Sequence, residues 1–365
     1  MNYITEFRDK EISKRIIEKI KEDLKDYKEK IYLMEVCGTH THAFFSSGIM
    51  SLLPENIVHL SGPGCPVCVT TNDYIDKAIA YSRLPYVIIT TFGDMMRVPG
   101  SYSSLEKERA KGNNIKVVYS PIESLNIAKK NPDKKVIFLG VGFETTAPLV
   151  AYTILTALNE KIKNFFVLSG HKLIPPAMKA LLEKKETKID GFICPGHVST
   201  IIGEEPYLPI VKKFKIPSVI AGFEPVDILE AIEILTRNII RKRASLENQY
   251  KRVVRKEGNK KALSLMKEVF KTESTSWRGL GVIPNSGLYI KDEYSEIDAE
   301  KNLSVEVEKT KENPACRCGE VLRGVRKPNE CELFKRVCTP ENPIGPCMVS
   351  GEGTCAAYYK FKDGK

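Results

Sequence analysis

Short apolar runs of strand length recur through the first two thirds of the chain. They are IYLMEV (31–36), NIVHL (56–60), YVIITT (86–91), IKVVY (115–119), KVIFLG (135–140), FFVLSG (165–170), DGFIC (190–194) and SVIAG (218–222). Their near-continuous hydrophobicity is that of strands buried on both faces. Helix-period patterns lie between them, at 73–82, 146–160, 175–186 and 225–243. Ahead of the first strand, residues 5–30 read as a charged amphipathic helix. Ile12, Ile16, Ile20 and Leu24 share one face, with Ile17 and Tyr27 beside it. Strands alternating with helices predict parallel sheets covered on both sides, with ligands bound at the carboxyl edges of the strands.

Beyond residue 240 the pattern changes. Residues 241–271 are highly charged and read as a solvated helical arm; 272–310 are mixed and hold the only tryptophan, Trp277. From 311 onward Cys, Gly and Pro dominate, and there is too little apolar sequence for a separate core. Such a segment needs a staple. The predicted fold class is α/β, with two tandem parallel-sheet α/β domains and an irregular C-terminal iron–sulfur domain. The predicted divisions are an N-terminal helix (1–30), α/β domains at 31–130 and 131–245, and the arm with the C-terminal domain at 246–365. A faint repeat supports the tandem arrangement: Pro63-Gly64-Cys65 lines up with Pro195-Gly196-His197, and Phe92 and Phe223 follow at similar intervals.

Composition narrows the function classes. The 365 residues include 56 Lys and Arg against 46 Asp and Glu, a net charge of +10, with the two signs interspersed. That distribution lacks the clustered basic stripe of a nucleic-acid binder. No run of about 18 apolar residues predicts a membrane span. The opening MNYITEFRDK carries charges where a signal peptide needs an apolar stretch, so a cytoplasmic location is expected. In that reducing compartment ten cysteines point to metal, cluster or redox chemistry rather than to disulfides.

The cysteines fall into two groups. Cys37 ends a strand in Cys37-Gly38-Thr39-His40-Thr41-His42. A helix start and an imidazolium there would lower its pKa. Cys65 and Cys68 form a CxxC in the Gly-Pro turn GPGCPVC, able to bind one face of a metal or to cycle between dithiol and disulfide. His197 sits in a similar turn, PGHVS. His171, Asp94, Arg97 and Glu144 also follow strands, where they could orient a ligand or cap a helix. Cys194 lies within a strand. Cys316, Cys318, Cys331, Cys338, Cys347 and Cys355 crowd the tail without paired CxxC knuckles. Four thiolates on long, uneven loops suit a [4Fe–4S] cluster, although spacing alone leaves zinc open and does not select four of the six. No Walker loop, GxGxxG or GxSxG elbow is present.

Taken together, MEVCGTHTHAF, GPGCPVC, FGDMMRVPGS, GFETTAP, PGHVSTIIG and the cysteine-rich tail resemble the HypD family of [NiFe]-hydrogenase maturation factors, from about residue 30 to the C-terminus. The resemblance implies a scaffold on which the Fe(CN)2CO group is assembled. The work is done in complex with the chaperone HypC, with cyanide delivered through HypE and, upstream, HypF. It implies that Cys318, Cys331, Cys338 and Cys355 hold the [4Fe–4S] cluster, that Cys37 binds iron with His40 and His42 beside it, and that Cys65 and Cys68 are redox-active with His197 facing them. The competing expectation is a cluster-dependent disulfide reductase acting through Cys65 and Cys68.

Overall fold

A computed structural model describes residues 6–361. Eleven strands are present among these residues: β1 (Ile31–Glu35), β2 (Ile57–Ser61), β3 (Val87–Thr91), β4 (Ile115–Val117), β5 (Lys135–Gly142), β6 (Phe165–His171), β7 (Gly191–Pro195), β8 (Ser218–Ala221), β9 (Leu246–Asn248), β10 (Phe270–Trp277) and β11 (Gly281–Ile290). The first eight coincide with the eight apolar runs. All but the edge strand β4 are buried along most of their length because helices cover both faces of each sheet.

The parallel strands form two sheets, ordered β2-β1-β7-β8-β9 and β4-β3-β5-β6. The fold is therefore α/β with two parallel-sheet units. The two sheets are nested along the chain. The chain leaves the first sheet after β2, builds the whole second sheet, and re-enters the first at β7. The expected division at residue 130 thus runs between β4 and β5, two strands of one sheet. The turns at 63–65 and 195–197 also follow strands of one sheet, on either side of β1, rather than equivalent strands of successive domains. Local periodicity reports which segments are strands, and only the pairing decides which sheet each one joins.

The N-terminal helix spans Lys10–Asp23, capped by Asp9, whose carboxylate accepts from the amides of Glu11 and Ile12. Residues 1–5 of the predicted segment lie outside the described residues. Ile17, Ile20 and Leu24 pack beneath β1 and the helix Pro225–Ile240. The charged arm differs from expectation: residues 246–248 form the edge strand β9, and only Lys260–Val269 is helical. β9 has no apolar run to announce it, because an edge strand is held by backbone pairing to β8. β10 and β11 then form an antiparallel hairpin that carries Trp277. The Trp277 indole stacks on Phe143 of the second sheet unit. The tail contributes Leu322, Cys318 and Cys347 to the core shared by both sheets. No helix among the described residues is long and apolar enough to cross a membrane.

Candidate functional site

The carboxyl edges of the two sheets face one another across a cleft of about 740 Å³. Cys37 is part of its wall. It directly precedes the helix Gly38–Ser46 in an extended conformation, on the loop that leaves β1, an inner strand flanked by β2 and β7. The loop after β2 brings Cys65, and the loop after β7 brings His197, so three neighbouring strands deliver these three side chains to one edge. Two of the loops touch backbone to backbone. The Gly38 amide donates to the Gly64 carbonyl at 2.8 Å. A Cβ on residue 64 would stand 2.0 Å from the Cys37 nitrogen, which is why glycine occupies that position.

The two cysteines of the CxxC point different ways. Cys65 lines the cleft, and its sulfur accepts from the Cys68 amide at 3.3 Å. Cys68 is fully buried and reaches toward the tail, 3.9 Å from the Pro346 carbonyl oxygen and in hydrogen-bond contact with Cys347. Burial works against its ionisation, but hydrogen bonds from the Cys347 and Cys65 thiols outweigh burial and bring Cys68 down to about 6. Burial and the bond to Cys68 push Cys65 the other way. Of the pair, Cys68 is therefore the sulfur that ionises first.

The expected ionised Cys37 is corrected by the structure. Its thiol is buried, and burial pushes it up to about 12 despite the pull of the His40 and Thr39 amides at the helix start. His40 supplies no imidazolium, because burial lowers it to about 4 while one ring nitrogen bonds the Gly222 carbonyl oxygen at 2.8 Å. His40 stays outside the cleft wall but is joined to it through Phe223. That ring stacks on His197 at 4.0 Å and lies tilted against His40 at 4.6 Å. His42 is turned away from the cleft, edge-on to Phe361.

Two carboxyls bear on Cys37. Glu35 is wholly buried and accepts from the Cys37 amide at 2.9 Å and from the Thr41 hydroxyl. Burial raises it to about 8, so it is mostly protonated at neutral pH. Glu352 comes from the tail, lines the cleft, and accepts from the Thr39 hydroxyl at 2.7 Å. Glu352 and Glu35 carry no motif that marks them as site residues, and Phe223 stands out in the sequence only as a landmark of the faint repeat. The one available signal for Glu352 was its place in Gly351-Glu352-Gly353, between Cys347 and Cys355. Among the other candidates, Asp94 lines the cleft. Arg97 instead donates to the Pro340 carbonyl oxygen at 2.7 Å and so ties down the tail. Glu144 accepts from the Ile174 amide at 3.0 Å and caps the helix Ile174–Lys184. His171 is buried, and burial lowers it to about 3. Cys194 is buried within β7.

All six tail cysteines line a second, small cavity walled by Leu333, Phe334 and Met348. No group of three or more His, Cys, Asp or Glu side chains among the described residues is arranged to hold a single metal ion. The donor set here is sulfur in an apolar enclosure, and that chemistry fits an iron–sulfur cluster, whose ligands are spread around several atoms. Burial pushes Cys316 up to about 12. Bound iron would hold thiols gathered this closely as thiolates. Cys347 contacts Cys318 and Cys355 on one side and Cys68 on the other. The cleft and the tail cavity are therefore joined through thiols.

Known proteins resemble this chain along almost its whole length. The family model HypD, described as the hydrogenase formation hypA family, matches residues 11–362. The hydrogenase maturation factor HypD of Azotobacter vinelandii is 46% identical over 99% of this chain and 97% of its own length. The protein of the same name from Cupriavidus necator is 44% identical over 100% and 98%. That of Escherichia coli is 41% identical over 99% and 98%. With the match running almost end to end, the chain belongs to the HypD family, and its role is in hydrogenase maturation.

Proposed function

We propose that this protein is the cytoplasmic scaffold on which the Fe(CN)2CO group of [NiFe] hydrogenase is assembled. The observation that carries the reading is the joint placement of Cys37, Cys65 and His197 in one cleft, with Cys68 turned back to the tail thiols. Iron is the cargo, and Cys37 is its protein ligand. The buried thiol gives up its proton when the positive charge of iron offsets the burial that keeps it neutral. Low-spin iron with cyanide and CO favours such a soft donor. The Glu35 and Gly64 contacts fix the Cys37 backbone, and Phe223 holds His197 at the cleft mouth.

Cys318, Cys331, Cys338 and Cys355 would hold a [4Fe–4S] cluster, and that cluster would supply single electrons. Cys65 and Cys68 can release two electrons and two protons on closing a disulfide. HypC would cap the cleft. The rim offers it an apolar seat, since Tyr119 is 90% exposed and Val253 is 42% exposed there. HypE would deliver cyanide, with HypF upstream. The Cys68–Cys347 contact also suits a disulfide reductase, and Cys37 separates the two readings. Protein purified anaerobically with HypC and HypE should show cyanide and CO infrared bands. Cys37→Ser should stay brown, lose those bands and abolish hydrogenase maturation. A Cys37→Ser protein that still matured hydrogenase would favour the reductase.

A further inference from the structure

We propose that a polar groove on the outer side of the tail is the docking site for an acidic one-electron carrier protein that reduces the tail cluster. The inference rests on the cluster assignment above and adds where electrons enter. The groove encloses about 610 Å³, and Cys316 and Cys318 form part of its wall. Cys316 is only half-buried, so at this place the thiol cavity comes close to solvent. The other walls are the Pro99-Gly100-Ser101 turn, from the RVPGS motif, and the extended segment around Lys311. These walls are pinned together. The Lys311 amide donates to the Ser101 hydroxyl at 2.7 Å, and Asn72 donates to the Lys311 carbonyl oxygen at 2.5 Å. The groove is thus a built surface with a fixed shape.

Its charge selects the partner. Glu312 is neutralised by Arg278, and Glu320 by Arg317 and Arg326. Lys107 and Lys311 line the same groove, are exposed, and have no carboxylate partner among the described residues. The uncompensated charge at the groove is positive, as is the net +10 of the chain. Complementary charge raises encounter rates and fixes orientation. A carrier presenting carboxylates around its own cofactor would be steered to the wall that holds Cys318. The transfer is a single electron with no proton: reduced carrier and [4Fe–4S]²⁺ give oxidised carrier and [4Fe–4S]⁺.

The test uses the full-length, cluster-loaded protein and a plant-type [2Fe–2S] ferredoxin as the acidic probe. Binding is measured by calorimetry at low and high salt, and cluster reduction is followed by electron paramagnetic resonance. Lys107→Glu/Lys311→Glu should weaken ferredoxin binding by about tenfold or more at low ionic strength, with the difference shrinking as salt screens it. Photoreduction with deazaflavin, which needs no docking, should reduce variant and wild type at equal rates, showing that the variant cluster is intact. Equal ferredoxin affinity in variant and wild type, with the cluster present, would overturn the docking site and leave the cluster assignment standing. Protein without iron after anaerobic reconstitution would overturn both.

Discussion

Replacing Gly64 by alanine should disable the cleft without touching any thiol. The added Cβ would lie 2.0 Å from the Cys37 nitrogen and 2.4 Å from its Cα, against a working minimum of 3.0 Å. The two loops must therefore part by about 1 Å, and the obstacle is backbone, which cannot rotate aside as a side chain would. Overpacking of this kind costs about 1–3 kcal/mol. The parting also stretches the 2.8 Å bond from Gly38 to Gly64, a loss of about 1 kcal/mol. A total of about 2–4 kcal/mol should lower the melting temperature of a chain this long by roughly 3–5 °C. The larger consequence is geometric. Cys37 and Cys65 shift relative to one another by about the distance at which a metal or reaction site loses its function. Circular dichroism melting gives the stability, and infrared bands on the HypC complex give iron loading. A Gly64→Ala protein that melts with the wild type and carries full cyanide and CO bands would refute this account of the loop contact.

Further outcomes follow from other parts of the molecule. Burial raises Glu144 to about 8. Because the folded value lies above the unfolded one, its contribution is fully present below about pH 4.5 and is lost as pH rises through 8. Glu144→Gln keeps an acceptor for the Ile174 amide and should flatten the fall in urea-unfolding stability between about pH 5 and pH 8; an unchanged pH slope would count against the shift. Cys331→Ala should lose the brown colour and expose residues 311–361 to protease, whereas Cys316→Ala and Cys347→Ala should keep the iron. Equal bleaching in all three would show that the wrong four cysteines had been assigned. Phe223→Leu removes the ring held between His40 and His197. It should change the nitrogen chemical shifts of both imidazoles while costing about 1–2 kcal/mol of stability, and a change at only one of them would break the proposed linkage.

The first eight strands were legible because each contains an apolar run, and the helices Asn72–Ser82, Ala147–Asn159 and Ile174–Lys184 lie within a residue or two of their patterns. The motif residues Cys37, Cys65 and His197 do meet, since residues after neighbouring parallel strands must share one edge. What local pattern could not report is strand order, and so the nesting of the sheets was missed. β9 and β10 lie outside the predicted strands because LEN and FKTESTSW lack a continuous apolar run, and β11, GVIPNSGLYI, is interrupted by Pro-Asn-Ser-Gly. The ionisation of Cys37 was misjudged because motif chemistry names the groups around a thiol and leaves out their depth. His40 looks like a cation in CGTHTH, yet it lies fully buried against Gly222.

The nesting of one sheet inside the other also sets when the cleft can exist during synthesis. Glu35 of β1 pairs with Ile193 of β7, 158 positions later in the chain. At ribosomal rates of about 5–20 residues per second, β1 waits roughly 10–30 s with one edge open before β7 arrives. The second sheet, wholly contained in the interval, can fold first. Cys37, Cys65 and Cys68 therefore pass through a period as accessible thiols beside an unpaired strand edge, before any cleft shields them. In that window an oxidant or stray metal ion meets less obstruction than it will in the finished protein, and a chaperone has its best chance to matter.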